Sequence, residues 1–118
     1  MIHEGICTLA VAKLAKEKRF PLQKVIKQDG RAFFYELPQS HPDWANCDAW
    51  YLPTQSLLQR WLREEKCLHI TVPFDYNVFW WQIKNLANGN SEYSEALGFD
   101  TYELALEDAL AYSLKNLV

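Results

Sequence analysis

The sequence predicts an α+β protein, a single domain over residues 1–118 with the element order α-ββ-α-ββ(β)-α. Three observations lead to this prediction. The chain has 118 residues, a typical size for one domain. Apolar residues make up 49% of it, which is enough to form a buried core. Segments with the apolar spacing of helices are separated by pairs of segments in which apolar and polar residues alternate, as in strands. Short turns connect the segments of each pair. This order favours an antiparallel sheet of four or five strands with two helices packed on one face.

Two segments in the first two thirds of the chain have the apolar spacing of helices. The first covers residues 8–18, and Thr8 suits its N-cap because a threonine oxygen accepts a hydrogen bond from the first turn. The second covers residues 53–66, where Pro53 suits the first turn because its missing N–H costs nothing there. The inward stripe of this second helix is expected to comprise Leu57, Leu58, Trp61 and Leu62.

A third helix is predicted at the end of the chain. Asp100 and Glu103 fit a D-x-x-E capping arrangement, and Thr101 is the alternative cap. Acidic residues fill the first turns and Lys115 lies in the last, which is the order that the helix dipole favours. We expect the second and third helices to lie together on one face of the sheet.

Asp29-Gly30 predicts a hairpin turn, because glycine tolerates the positive φ that such turns need. The flanking strands would cover residues 22–27 and 31–37. The connection that follows, residues 38–53, is rich in turn-forming residues. We expect its aromatic side chains to hold it against the body of the protein, namely Trp44, Trp50 and Tyr51.

The strongest strand patterns lie in the second half of the chain. Residues 68–74 alternate strictly, and residues 78–86 follow after a turn at 75–77. Asn88-Gly89 predicts another turn, after which residues 91–96 would form a short fifth strand. The side chains expected to face the core from the first of these strands are Leu68, Ile70, Val72 and Phe74.

Trp80 and Trp81 are adjacent in the predicted 78–86 strand, where neighbouring side chains point to opposite faces. The expected core set is Phe79, Trp81 and Ile83, and the expected outward set is Val78, Trp80, Gln82 and Lys84. With outward residues of the other strands, these define a candidate binding surface. We call it the Trp80 strip, and its members are Trp80, Phe34, His69, Thr71 and Lys84.

A large aromatic side chain such as Trp80 is rarely left bare. Three ways of covering it remain open. The first helix would fold over it in ordinary layered packing. A second copy of the chain would cover it in a dimer. A foreign partner would bind it as an exposed apolar patch.

The charges are divided along the chain, which has a formal net charge of -3. The first quarter is basic and the end is acidic, a pattern typical of solvated faces. The alternative interpretation is a nucleic-acid site, with Trp80 and Phe34 as stacking surfaces. Its basic residues would be Lys13, Lys16, Lys18, Arg19, Lys24 and Lys27. Glu36 on the same predicted face and the acidic total weigh against that interpretation.

The sequence contains no phosphate-binding glycine loop, no C-x-x-C, no H-E-x-x-H and no G-x-S-x-G motif. We therefore expect no catalytic residues, no cofactor and no bound metal. The residue types that a zinc site needs are present in His41, Asp43, Cys47, Cys67 and His69, but nothing in their spacing makes them converge. A Cys-His nucleophile pair would need Cys47 or Cys67 beside His41 or His69.

Three cysteines without framework spacing favour reduced thiols and a cytoplasmic location. The first residues lack the basic region of a signal peptide, and no stretch approaches the ~20 apolar residues that cross a membrane. We expect no interaction with membranes.

Three segments resemble, in the same order, an uncharacterised family of small proteins from phages and prophages of gut bacteria. They are CTLAVAKLAKEKRF at residues 7–20, PTQSLLQRWLREE at 53–65 and GFDTYELALEDAL at 98–110. The resemblance implies an origin in a mobile element and implies no activity. Together with Trp80, which is expected to point away from the core, the resemblance leads us to expect a small non-catalytic accessory protein that binds a protein partner or a second copy of itself.

Overall fold

The computed structural model describes residues 5–20, 34–36, 51–94 and 98–118. These residues form an α+β arrangement, as the sequence predicted. The helices are α1 (Leu9–Glu17), α2 (Gln55–Lys66) and α3 (Tyr102–Tyr112), and α3 continues into a π-helix (Ser113–Leu117). The strands are β1 (Phe34–Glu36), β2 (Tyr51–Pro53), β3 (Leu68–Thr71), β4 (Phe74–Asp75), β5 (Val78–Phe79), β6 (Gln82–Asn85) and β7 (Ser91–Tyr93).

All pairings between these strands are antiparallel, which confirms the predicted sheet type. The strands are divided differently from the prediction, however. In the described ranges, β3, β6 and β7 form a central three-stranded sheet in the order β3-β6-β7, while β4 pairs with β5 and β1 pairs with β2. The predicted fifth strand is therefore present as β7, over residues Ser91–Tyr93.

The predicted 68–74 strand ends early because of Pro73, which has no N–H to continue a ladder. Its carbonyl instead accepts the backbone N–H of Trp80 at 3.1 Å. Beyond it, β4 turns away and pairs with β5. The prediction that Phe74 faces the core is wrong, because this side chain is 59% exposed.

The first predicted hairpin is described only at Phe34–Glu36, which pairs with Tyr51–Pro53 at the end of the predicted 38–53 connection. The predicted partner strand and the Asp29-Gly30 turn lie outside the described residues, as do Trp44 and Trp50. In the described part of the chain β1 pairs with β2 and forms no ladder with the central sheet, so the predicted placement of Phe34 on the same sheet as Trp80 finds no support there.

Each α-helix begins with a threonine cap. The side-chain oxygens of Thr8, Thr54 and Thr101 accept the backbone N–H groups three residues later, at 3.3, 3.3 and 3.1 Å. These bonds satisfy donors that have no partner inside the helix.

Two cap predictions need correction. Pro53 ends β2 and does not start α2, because its carbonyl accepts the N–H of Cys7 and Thr54 takes the cap. Asp100 is not the cap of α3, because the alternative, Thr101, makes the bond.

The helices share one core with the central sheet. α2 packs against α3 and β3, which confirms that the second and third helices lie together, and α1 packs against α3 and the π-helix. The core residues from α2 are Leu58 and Leu62, and those from the central sheet are Leu68, Ile70 and Ile83. Ser113 and Leu114 of the π-helix are also buried, and they lie four residues after Ala109 and Leu110, on the same face as these buried residues of α3.

None of the helices in the described ranges has the length and apolar character that crossing a membrane requires.

The β4-β5 hairpin is tied to the start of α3 by the segment around Gly98. Phe79 and Phe99 exchange two backbone hydrogen bonds, of 2.8 and 2.7 Å. Gly98 has φ +68, and a Cβ built on it would lie 2.6 Å from Val78 Cγ2. Glycine is therefore needed here for two reasons, the backbone conformation and the close approach of Val78.

We expect Gly98→Ala to lower the free energy of unfolding by about 3 kcal/mol, because the added methyl group meets both the positive φ and Val78. Gly89→Ala is the matched control: its φ is +80 but nothing lies within 4 Å of the added Cβ. The control should lose only the backbone cost, about 1 kcal/mol. Urea unfolding measures both, and equal losses would contradict the packing argument.

Candidate functional site

Trp81 points into the core, as predicted. Its side chain is 3% exposed, and its indole Nε1–H donates to Asp108 Oδ2 of α3 at 2.8 Å. Its ring centroid lies 5.1 Å from that of Tyr112. A hydrogen bond to a charged acceptor is stronger than one between neutral groups, so this contact holds the central sheet against α3.

The predicted 78–86 strand is interrupted at Trp80 and Trp81, which lie between β5 and β6. The Trp80 side chain meets Tyr93 of β7 on the outer face of the central sheet. Its ring centroid is 6.2 Å from that of Tyr93, with 34° between the ring planes. Tyr93 is opposite Gln82 in the ladder and so points away from the face that carries buried Ile83. Trp80 is half-buried and Tyr93 is 58% exposed, so the aromatic pair is open to solvent on its outer side.

The strand register gathers the remaining residues of this face into two rows. His69 is opposite Lys84, and Lys84 is opposite Ser91. Thr71 is opposite Gln82, which is opposite Tyr93. Directly opposite side chains in antiparallel strands lie about 4.5–5.5 Å apart at Cβ, so each row is continuous. Lys84 and Thr71 are exposed, while His69 is half-buried.

Four of the five predicted members of the Trp80 strip therefore share one face: Trp80, His69, Thr71 and Lys84. Phe34 does not belong to it in the described part of the chain, because β1 pairs with β2. Tyr93 was missed, since β7 is short and only its alternation after Asn88-Gly89 signals it. We keep the name Trp80 strip for the four residues together with Tyr93.

The first helix does not fold over Trp80, which was one of the three expected ways of covering this side chain. α1 packs against α3, β2 and the π-helix. Its buried residues Val11 and Ala15 belong to the same core cluster as Trp81 and Ile83. α1 thus lies on the inner side of the central sheet, opposite the Trp80 strip.

A second polar cluster joins the starts of α1 and α2 to α3. Glu107 accepts the backbone N–H of Thr8 at 2.6 Å through Oε1 and the side-chain amide of Gln55 at 3.0 Å through Oε2. The same amide also donates to the backbone carbonyl of Glu103 at 2.9 Å. A carboxylate at the start of α1 stabilises the positive end of the helix dipole, so the cluster has a structural role.

Cys7 lies beside this cluster and is buried. Burial and, to a smaller extent, the negative charge of Glu107 raise the pKa of the Cys7 thiol. A thiol that stays protonated is a poor nucleophile, so this position does not suit catalysis. Cys67 is exposed and follows α2 with φ 57.

Only some of the candidate metal-ligand and nucleophile residues from the sequence lie in the described ranges. His41, Asp43 and Cys47 lie outside the described residues. Among those that are described, no group of three or more His, Cys, Asp or Glu side chains is placed to hold a metal ion. A cavity of about 100 Å³ lies between Gly5, Gln55, Tyr102 and Glu103. Ligand pockets usually have ~300–1,000 Å³, so this cavity is small for a substrate.

Comparison of the chain with protein-family models, curated proteins and solved structures finds no match.

The two adjacent tryptophans should respond differently to one chemical change. Trp81→Phe removes the donor to Asp108 and leaves a void, so we expect a loss of about 2–3 kcal/mol in the free energy of unfolding. Trp80→Phe keeps an aromatic ring against Tyr93 and should cost less than about 1 kcal/mol. Urea unfolding of both variants measures the difference. A larger loss for Trp80→Phe would mean that the two faces have been assigned the wrong way round.

Thiol labelling should separate the described cysteines. In a Cys47→Ser background, iodoacetamide at pH 8 is expected to modify Cys67 and to spare Cys7 until the chain is unfolded. Peptide mass spectrometry locates the label, and rapid native labelling of Cys7 would contradict its burial.

Because the pKa of Cys7 is raised in the folded state, only the unfolded thiol ionises as the pH passes the ordinary range of a thiol. The protein should therefore lose stability as the pH rises through that range.

Proposed function

We propose that this chain is a small non-catalytic accessory protein that acts by binding protein, either a partner or a second copy, through the Trp80 strip. The observation that carries the proposal is the aromatic pair of Trp80 and Tyr93 on the outer face of the central sheet. Partly exposed aromatic residues of this kind are enriched at protein interfaces, where they contribute much of the binding energy.

The surroundings of the aromatic pair fit this role. Thr71, His69 and Lys84 form polar rows beside it, which resembles the apolar centre and polar rim of protein interfaces. Lys84 is exposed on the central strand, so its charge favours a partner with a carboxylate near the aromatic contact.

Three further parts of the proposal rest on the chain itself. The absence of catalytic motifs supports a non-catalytic role. The free thiols of Cys7 and Cys67 support a reducing compartment such as the cytoplasm. The origin in a phage or another mobile element is supported by the resemblance of residues 7–20, 53–65 and 98–110.

Nucleic-acid binding is the alternative, and exposed Lys13, Lys16 and Arg19 favour it. A stacking site would need these cations beside Trp80. α1 lies on the inner side of the central sheet, however, and the Trp80 strip lies on its outer side. Lys24 and Lys27 fall outside the described residues. Protein binding is therefore the better supported proposal.

Affinity capture from the native host tests the main proposal. We expect the tagged wild-type chain to retain a specific protein, identified by mass spectrometry, and Trp80→Ala to lose at least about 90% of it, as truncation of a central aromatic anchor does. Leu86→Ala is the matched control, since Leu86 is another exposed apolar residue, on the turn after β6. Equal retention by wild type and Trp80→Ala would remove the Trp80 strip from the proposal.

A salt titration against single-stranded DNA and RNA tests the alternative. We expect no binding at physiological salt, and any binding at low salt should be unaffected by Trp80→Ala. Contacts to phosphates strengthen steeply as the salt concentration falls, so a site formed by the early lysines would be detected there. Tight, salt-dependent binding that Trp80→Ala weakens would favour the nucleic-acid function instead.

A further inference from the structure

β7 is an outer strand of the central sheet, and in the described part of the chain it pairs on one side only, with β6. At one end of this ladder the N–H of Asn85 donates to the carbonyl of Asn90 at 2.8 Å. At the other end the N–H of Ser94 donates to the carbonyl of Trp81 at 3.0 Å. Hydrogen-bonded pairs alternate along an antiparallel ladder, so the bonded residue between these ends is Glu92.

The same alternation leaves the other edge of β7 with unpaired backbone groups. Ser91 and Tyr93, on either side of Glu92, direct their N–H and C=O groups away from β6. No other strand in the described ranges pairs with them. This edge therefore offers donors and acceptors with the spacing of a β-ladder, and the backbone of an extended peptide satisfies such a pattern.

The opposite edge of the sheet, on β3, is closed. Leu86 N–H donates to the carbonyl of Cys67 at 2.7 Å, so the alternation along β3 turns the carbonyl of Ile70 away from β6. Gln59 of α2 donates to that carbonyl through Nε2 at 3.0 Å. Proteins cover free strand edges in this way to prevent unwanted pairing, so an open edge on β7 favours a role in binding.

The charge on β7 selects the kind of strand that fits. Glu92 is exposed, and its Oε2 accepts a hydrogen bond from the hydroxyl of Tyr112 at 3.3 Å. A residue directly opposite Glu92 in an added strand would lie about 4.5–5.5 Å away at Cβ, within reach of an ion pair with lysine or arginine. A second copy of β7, paired over its whole length, would instead place Glu92 opposite Glu92, and like charges in this position are destabilising.

The outer face adds a preference for apolar side chains. Tyr93 ends the row that begins at Thr71 and continues through Gln82. A residue opposite Tyr93 in an added strand would extend this row, and its side chain would pack on the ring that already meets Trp80.

We propose that a partner protein adds an extended, antiparallel strand to the free edge of β7, with a lysine or arginine opposite Glu92 and an apolar side chain against Tyr93. The backbone hydrogen bonds supply affinity and the alternating side chains supply specificity. This inference rests on the proposed function and deepens it, because the added strand continues the outer face that carries the Trp80 strip.

A phage-displayed library of random peptides tests the charge preference. Selection on the wild type should enrich peptides with a lysine or arginine between apolar residues. Selection on Glu92→Lys should enrich aspartate or glutamate in that place, because the opposite charge now faces the added strand. The absence of enriched peptides, or enrichment of the same peptides by both proteins, would overturn the proposal.

Proline at the edge tests the backbone contact. Ser91→Pro removes an N–H that the sheet does not use, and proline is tolerated on edge strands at such positions, so the variant should fold. It should bind the selected peptides at least about tenfold more weakly, because an edge hydrogen bond is lost. Ser91→Thr keeps the N–H and is the matched control. Equal binding by folded Ser91→Pro and Ser91→Thr would contradict strand addition.

Amide hydrogen exchange gives a direct readout of the edge. In the free protein the amides of Ser91 and Tyr93 should exchange faster than that of Glu92, which bonds within the ladder. A selected peptide should slow the exchange of Ser91 and Tyr93. Unchanged exchange of both amides in the complex would place the peptide elsewhere.

Ser91→Pro in the capture experiment separates this inference from the proposed function. A captured protein that Ser91→Pro retains and Trp80→Ala loses would overturn strand addition and leave the proposed function standing. Loss by Ser91→Pro with retention by Trp80→Ala would support strand addition and remove the Trp80 strip. A wild type that dimerises, with the dimer abolished by Ser91→Pro, would overturn the assignment of the edge to a foreign strand.

Discussion

The buried indole of Trp81 holds the central sheet against α3, and the directions of its neighbours follow from it. Its Nε1–H donates to Asp108 at 2.8 Å, and its own backbone N–H donates to Ser94 Oγ at 3.1 Å. Trp81 is directed inward, and its neighbour Trp80 lies on the outer side against Tyr93. Ile83 then faces the core and Lys84 faces solvent. The candidate binding surface is thus a consequence of one core contact.

Two surfaces of different character result from this arrangement. The Trp80 strip lies on a ladder of three strands whose register fixes its side chains. The second, with exposed Phe74 and Tyr76, lies on the two-stranded β4-β5 hairpin, which has less support of its own and depends on Phe99 and Gly98 to hold it.

Much of the fold could be predicted from local patterns, and the failures have physical causes. Apolar spacing predicts the helices and Thr8 predicts the start of α1, because both depend on neighbouring residues. Alternation predicts that Trp80 and Trp81 diverge, but it ignores the missing N–H of Pro73, so Phe74 was wrongly placed in the core. Pairing between distant segments, as in β1 with β2, leaves no local signal, and this is why the β2 partner of the Phe34 strand was not predicted.

Hydrogen exchange of the tryptophan indoles, followed by NMR of the ¹⁵N-labelled protein, tests this account most directly. Trp80→Phe and Trp81→Phe assign the two signals among those of the five tryptophans. The Trp81 indole proton should exchange slowly, at a rate set by opening of the structure, and Asp108→Ala should speed its exchange while leaving Trp80 unchanged. A Trp81 indole that exchanges as fast as that of Trp80 would mean that neither the inner nor the outer face has been assigned correctly.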